Sequence, residues 1–170
     1  MRVLGIDPGT ARTGFGLIEQ RERRATLITC GVITTSSKER LERRYLKIFT
    51  LLEELFCQYS IDQVAVEGQY LSSFPLKGTS KAASPASLLK LGMVRGIALL
   101  VAARQSVDVT TYSPREVKRA VTGGGGANKQ SIQRMVSFHL QLTEPPTQDA
   151  ADALALALCH LSHTVRPSPY

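Results

Sequence analysis

No pair of cysteines stands close together in this sequence. Cys30, Cys57 and Cys159 are odd in number, far apart and each set among apolar neighbours. That pattern excludes a disulfide framework or a cysteine-bound zinc site and predicts buried free thiols. No apolar run approaches the roughly 20 residues of a membrane-spanning helix. The N-terminus also lacks the basic segment, apolar core and small-residue cleavage site of a signal peptide, so a cytoplasmic protein with no membrane partner is expected. There is no internal repeat and no linker that would divide the chain, which predicts one domain over residues 1–170 with a radius of gyration of roughly 15 Å. Acidic residues are scarce as well, with 14 Asp and Glu against 21 Lys and Arg and a net charge of +7. Such an excess points to a polyanionic partner, because each neutralised phosphate releases counterions and adds sequence-independent affinity. What is present is a globular composition, 43% hydrophobic and 21% charged. The question becomes where the few acids sit.

Four of them sit at marked positions. Val3-Leu4-Gly5-Ile6-Asp7 is an apolar run that ends in one carboxylate and breaks into Pro8-Gly9, the pattern of a buried strand whose last residue lies where the sheet opens to solvent. In open α/β sheets that edge is where ligands bind. Taken alone, an Asp before Pro-Gly is equally well explained as turn chemistry. Val64-Ala65-Val66 repeats the arrangement and ends in Glu67. The last predicted helix opens with Asp149 and Asp152, three apart and therefore neighbours on one face, among alanines that allow close approach to a sheet. An acid in the first turn also complements the helix dipole, which accounts for Asp149 better than for Asp152, one turn further in.

The remainder of the chain supplies a frame. Gly14 to Glu19 alternates and, after the charged turn Arg21 to Arg24, Ala25 to Thr35 follows, so three consecutive antiparallel strands are expected. Ser36 to Glu39 resembles a capping box, followed by Leu41, Tyr45, Ile48, Leu52, Leu55 and Tyr59 at helical spacing; Arg40, Arg43, Arg44 and Lys47 read as its solvated face. Residues 71–87 carry no sustained period and read as a long loop beside the strand that ends at Glu67. Ser87 to Gln105 is an apolar helix with Gly92 and Gly96 four apart, a spacing that admits close approach, within the chain or between two chains. Val107 to Thr111 is a last strand. Ser113-Pro114-Arg115-Glu116 caps a short helix carrying Lys118, Asn128 caps another with Ile132, Met135, Val136 and Leu140 inward, and Pro145-Pro146-Thr147 opens the final helix through about His163.

If the four acids meet, their mutual repulsion calls for cations. All-carboxylate donors suit Mg²⁺ or Mn²⁺ rather than zinc, and two such ions about 4 Å apart stabilise the attacking and leaving oxygens of a phosphodiester. His160 lies eight residues beyond Asp152, roughly 12 Å along the helix, so His139, His160 and His163 read as packing or surface residues.

Asp7, Glu67 and the pair Asp149 and Asp152 resemble, in order and spacing, the RuvC family of Holliday junction resolvases. The resemblance spans nearly the whole chain through Gly5 to Thr10 with Thr13-Gly14, Ala65 to Glu67, Leu88 to Gly96, Val117-Lys118, Gly123 to Lys129 and Asp149 to Leu156. It implies an RNase H-like α/β fold, a mixed five-stranded sheet of three antiparallel N-terminal strands and then parallel strands, with helices on both faces. It also implies a homodimer that makes paired, symmetric, metal-dependent cuts in a four-way DNA junction, with two Mg²⁺ ions per subunit for which Mn²⁺ substitutes. Asp7, Glu67, Asp149 and Asp152 match the family's catalytic acids, and Lys118 and Lys129 match basic residues near the site. Tyr70 falls where the family places an aromatic that stacks on bases. Gly68-Gln69 and the length of the 71–87 segment depart from the family pattern, which brings Phe74 forward for the stacking role and Lys77 and Lys81 for backbone contacts. The family implies work in bacterial recombination and repair beside a RuvA and RuvB-type branch-migration complex. Two rivals remain at this stage: a junction-binding protein that does not cut, and a phosphate-handling protein of the actin and sugar-kinase type, whose phosphate loop Asp7-Pro8-Gly9-Thr10 also resembles.

Overall fold

Strand β1 (Arg2–Asp7) lies at the centre of the sheet, which runs β3-β2-β1-β4-β5. The computed structural model describes residues 1–22, 24–68, 85–124 and 128–164. β2 (Arg12–Arg21) and β3 (Arg24–Thr34) follow β1 as antiparallel neighbours. β4 (Gln63–Glu67) and β5 (Asp108–Tyr112) then add on the other side, both parallel. This is the expected sheet. A parallel neighbour requires a crossover, supplied by α1 (Leu41–Gln58) between β3 and β4 and by α2 (Pro85–Arg104) between β4 and β5. α3 (Pro114–Thr122), α4 (Lys129–Leu140) and α5 (Gln148–Thr164) complete the chain.

Side chains alternate across a strand, and β1 and β4 use both faces. Leu4, Ile6, Val64 and Val66 pack with Ile48 and Leu52 of α1 and Val94 and Ala98 of α2. Val3 and Ala65 face the other way, with Val117, Val136 and Leu154 of α3, α4 and α5. The helices therefore cover both faces of the sheet. α5 lies directly on β1 and β2, because Gly5 and Gly16 stand opposite each other in the antiparallel ladder. A Cβ on Gly5 would fall 1.9 Å from the Ala153 carbonyl oxygen, and one on Gly14 2.1 Å from that of Asp149. The expectation that alanines seat this helix close to the sheet holds, with Ala150, Ala151, Ala153, Ala155 and Ala157 all buried.

Several expectations are corrected. Ser36 to Glu39 forms no capping box: α1 begins at Leu41 after an N-cap Arg40 that makes no capping bond, and Ser36 Oγ instead accepts from the Lys38 amide at 3.2 Å. Arg44 is not on a solvated face but buried beside Ile48 and Leu52. Cys57 is exposed, since the buried stripe of α1 runs through Ile48, Leu52 and Leu55 and turns residue 57 outward; Cys30 is half-buried and Cys159 buried. α2 begins at Pro85, two residues earlier than its periodicity predicts, and is long and apolar enough to cross a membrane by length and composition alone. One stripe of it, Val94, Ala98, Val101 and Ala102, belongs to the core. A Cβ on Gly92 or Gly96 would meet nothing within 4 Å among the described residues, so there these glycines serve no close approach.

Candidate active site

The parity that sends Val3 and Gly5 toward α5 also sends Asp7 there, and the parity of Ala65 does the same for Glu67. β1 and β4 are parallel and in register through Ile6 and Val66, so the two carboxylates end neighbouring strands side by side. The Asp7 carboxyl is pushed up to about 8, first by burial, then by neighbouring Glu67 and by the charges of Asp152 and Asp149. Four acids predicted from positions as far apart as 7 and 152 thus act on one another electrostatically.

Asp149 and Asp152 arrive on α5, whose first turns are seated by Gly14. Burial raises the Asp152 carboxyl, with Lys129 opposing, Glu67 and Asp149 adding to the rise, and Lys118 opposing again. The two predicted lysines are therefore near enough to act on Asp152 through their charge: Lys118 half-buried on α3 and Lys129 exposed as the first residue of α4. Ser113 holds α3 in place through the predicted capping box with Glu116, and Asn128 Oδ1 caps α4 by accepting from the Ser131 amide at 2.8 Å. Tyr70, Phe74, Lys77 and Lys81 lie outside the described residues.

Sequence reasoning missed the clamp on the turn after Asp7. Thr13 Oγ1 donates to the Gly9 carbonyl at 2.7 Å, and the Thr10 carbonyl accepts from Thr35 Oγ1 at 2.5 Å and from an Arg44 terminal nitrogen at 2.6 Å. Arg44 Nε also donates to Thr35 Oγ1 at 2.9 Å. The signal for Arg44 was its helical spacing, four before Ile48 and three after Leu41, on the stripe that enters the core. Arg12 was missed too. Its Nε donates to Asp149 Oδ2 at 2.5 Å.

The donor set suits a hard divalent cation: four carboxylates, two on strand ends and two on one helix, where burial and the neighbouring acids push the Asp7 carboxyl up. Among the described residues no three Asp, Glu, His or Cys side chains are already gathered into a set that could hold a metal ion. Arg12 is paired directly with the Asp149 carboxylate. The three histidines take no part. His160 is buried between the Tyr112 hydroxyl, 2.9 Å from Nδ1, and Gln63 Oε1, 2.5 Å from Nε2; His139 Nε2 lies 3.0 Å from the Val121 carbonyl. His163 Nδ1 is 2.8 Å from the Cys159 carbonyl within α5.

The family profile of crossover junction endodeoxyribonuclease RuvC matches residues 3–160. A crossover junction endodeoxyribonuclease RuvC of Legionella pneumophila (strain Lens) is 41% identical over 158 residues, which cover 93% of this chain and 85% of that protein. The structure is similar to that of Thermus thermophilus RuvC, with a TM-score of 0.81, 32% identity and coverage of 96% of this chain and 95% of the other. Similarity to T. thermophilus RuvC in complex with a Holliday junction substrate gives a TM-score of 0.84 at 32% identity, covering 96% and 94% of the two chains. With an RNase H-like sheet and this family match over nearly its full length, the chain belongs to the RuvC family of crossover junction endodeoxyribonucleases.

Proposed function

We propose that this chain resolves four-way DNA junctions by paired, symmetric, metal-dependent hydrolysis of two phosphodiester bonds, leaving 5′-phosphate and 3′-hydroxyl ends. The observation that carries this reading is the electrostatic convergence of Asp7, Glu67, Asp149 and Asp152 at one edge of the sheet. A cluster of acids facing a polyanionic substrate is repulsive unless cations neutralise it. Asp7, Glu67, Asp149 and Asp152 would hold two Mg²⁺ ions per subunit, with Mn²⁺ as substitute, which supply Lewis-acid stabilisation of the attacking and leaving oxygens. Lys118 and Lys129 attract the DNA backbone and offset the charge on Asp152. Arg44, Thr35 and Thr13 hold the turn that orients Asp7. The four-way junction is the substrate class because the RuvC of T. thermophilus was solved with a Holliday junction.

Two cuts in one junction need two such sites related by a two-fold axis, so the working unit is a homodimer. The exposed face of α2, with Leu89, Met93 and Leu100 beside the open Gly92 and Gly96, is its candidate surface. Tyr70 and Phe74 are the residues for stacking on junction bases, and Lys77 and Lys81 for further backbone contacts. A RuvA and RuvB-type branch-migration complex in a bacterial cytoplasm is the setting in which such ends, ready for ligation, are made.

The test is a labelled four-way junction and a matched linear duplex incubated with the protein in Mg²⁺, Mn²⁺ or EDTA. Paired nicks in the junction alone, dependent on metal, are expected. Asp7→Asn is expected to bind the junction and cut it no faster than the EDTA control. Absence of nicks in every metal condition, with binding intact, would leave a junction-binding protein that does not cut.

A further inference from the structure

Arg12 is the first residue of β2, two positions before Gly14 and four before Gly16. Those glycines lie against α5, so strand alternation sends the Arg12 side chain to the same face. There it meets the first turn of the helix, and its Nε donates to Asp149 Oδ2 at 2.5 Å. The α5 backbone beside this contact is fixed, because the Asp149 carbonyl sits where a Cβ of Gly14 would be. The Arg12 side chain is 54% exposed and that of Asp149 29%. One partner is thus anchored and the other is a long side chain at the mouth of the site, free to leave.

The two acids of α5 are neutralised differently. Asp152 has Lys118 and Lys129 acting on it through space, whereas Asp149 has a guanidinium in direct contact. A carboxylate paired this way offers its oxygen to a metal ion only after the arginine withdraws. We propose that Arg12 is a latch on Asp149 that competes with the divalent cation for this carboxylate, and that is released toward the DNA backbone when the cation binds. The proposal rests on the metal-dependent reading given above and adds a positioning residue to it. By thermodynamic linkage, whatever draws Arg12 away strengthens metal binding, so a DNA phosphate that accepts the guanidinium favours loading of the site on substrate.

Calorimetric titration of the DNA-free protein with Mg²⁺, paired with Mn²⁺ titration followed by the electron paramagnetic resonance of the free ion, tests this without any cleavage assay. An exposed ion pair is worth little, so Arg12→Gln is expected to bind metal about twofold to fivefold more tightly than wild type. Arg12→Lys, which keeps the charge, is expected to stay near wild type. Lys129→Gln removes an equal charge that makes no contact with Asp149, and is expected to tighten binding less than Arg12→Gln does. In side-chain NMR the Arg12 Nε–H signal is expected to exchange with solvent about twofold to fivefold more slowly in EDTA than in saturating Mg²⁺. Unchanged or weaker metal affinity in Arg12→Gln, an equal gain in Lys129→Gln, or an Nε–H signal indifferent to Mg²⁺ would each overturn the latch. Asp7→Asn separates the two ideas: if it binds metal as well as wild type, the four-acid site itself is wrong, and if it loses metal while Arg12→Gln shows no gain, only the latch is.

Discussion

α5 and α2 are both apolar helices, and among the described residues only one of them is enclosed. Ten of the 17 residues of α5 are buried, whereas four of the 20 residues of α2 are. The glycines beside them follow the same division. Gly5, Gly14 and Gly16 leave no room for a Cβ under α5, and Gly92 and Gly96 of α2 have open space around them among the described residues. Even the polar groups differ. His160 of α5 has a partner on each ring nitrogen, while Arg95 of α2 donates one terminal nitrogen to Thr111 Oγ1 at 2.9 Å and leaves its buried Nε without a hydrogen bond among the described residues. Apolar composition states that a helix is to be covered. It does not state whether the chain itself supplies the cover.

The sharpest way to break this comparison is to exchange the glycines for alanine. Gly5→Ala drives a Cβ toward a backbone oxygen at 1.9 Å. Relief requires α5 to lift from the sheet and carry Asp149 and Asp152 with it. A loss of about 3 kcal/mol or more in denaturant unfolding is expected, at the upper end of overpacking penalties. The same change at Gly96 meets nothing within 4 Å and replaces the weakest ordinary helix former by the strongest. It is expected to leave the isolated chain unharmed or to stabilise it by roughly 1 kcal/mol. Equal losses at the two sites would show that α2 is packed as tightly as α5.

The second test concerns the uncovered face. Leu89 and Leu100 are 63% and 55% exposed, and with Gly92, Met93 and Gly96 between them they share one face by helical spacing. Leu89→Glu with Leu100→Glu is expected to change the unfolding free energy by no more than about 0.5 kcal/mol per site, as exposed substitutions do. The same pair is expected to weaken self-association about 30-fold or more in sedimentation, the scale of losing a central apolar contact of 2 kcal/mol. Self-association unaffected by both charges would remove this face of α2 from the proposed dimer.

Much of the candidate site was legible as a juxtaposition of residues, because it follows from strand parity and strand ends. Val3, Gly5 and Asp7 share one face of β1 whatever the rest of the chain does, and an apolar run closing on Glu67 repeats the pattern. The α5 acids were legible from their spacing. The features that stayed hidden are those made by long-range contacts. The Arg12 and Asp149 pair joins residues 137 positions apart, and the Arg44 clamp joins α1 to a turn 34 positions earlier. Near-neighbour charge made Arg44 look solvated, although its spacing with Ile48 and Leu52 already placed it on the buried stripe. Ser36 and Glu39 had the right spacing for a capping box, but the chain needs those residues to turn out of β3, and the helix starts only at Leu41.

The smallest effect is expected from the polar interior under α5, and it sharpens why enclosure has a cost. His160 is 3% exposed, and burial, followed by the charge of His163, holds its imidazole below the ordinary histidine value of 6.5. The folded state therefore keeps His160 neutral at a pH where the unfolded chain already takes up a proton. Below about 6.5 the unfolded state binds more protons, so stability falls as pH drops and the loss is complete only below the folded value. His160→Asn cannot titrate. At pH 7.5 it is expected to be less stable than wild type through loss of the Tyr112 and Gln63 contacts, and the gap is expected to narrow steadily as thermal unfolding is measured from pH 7.5 down to pH 5. A gap that stayed constant would mean that the imidazole is protonated alike in both states, and that α5 encloses His160 less fully than its exposure implies.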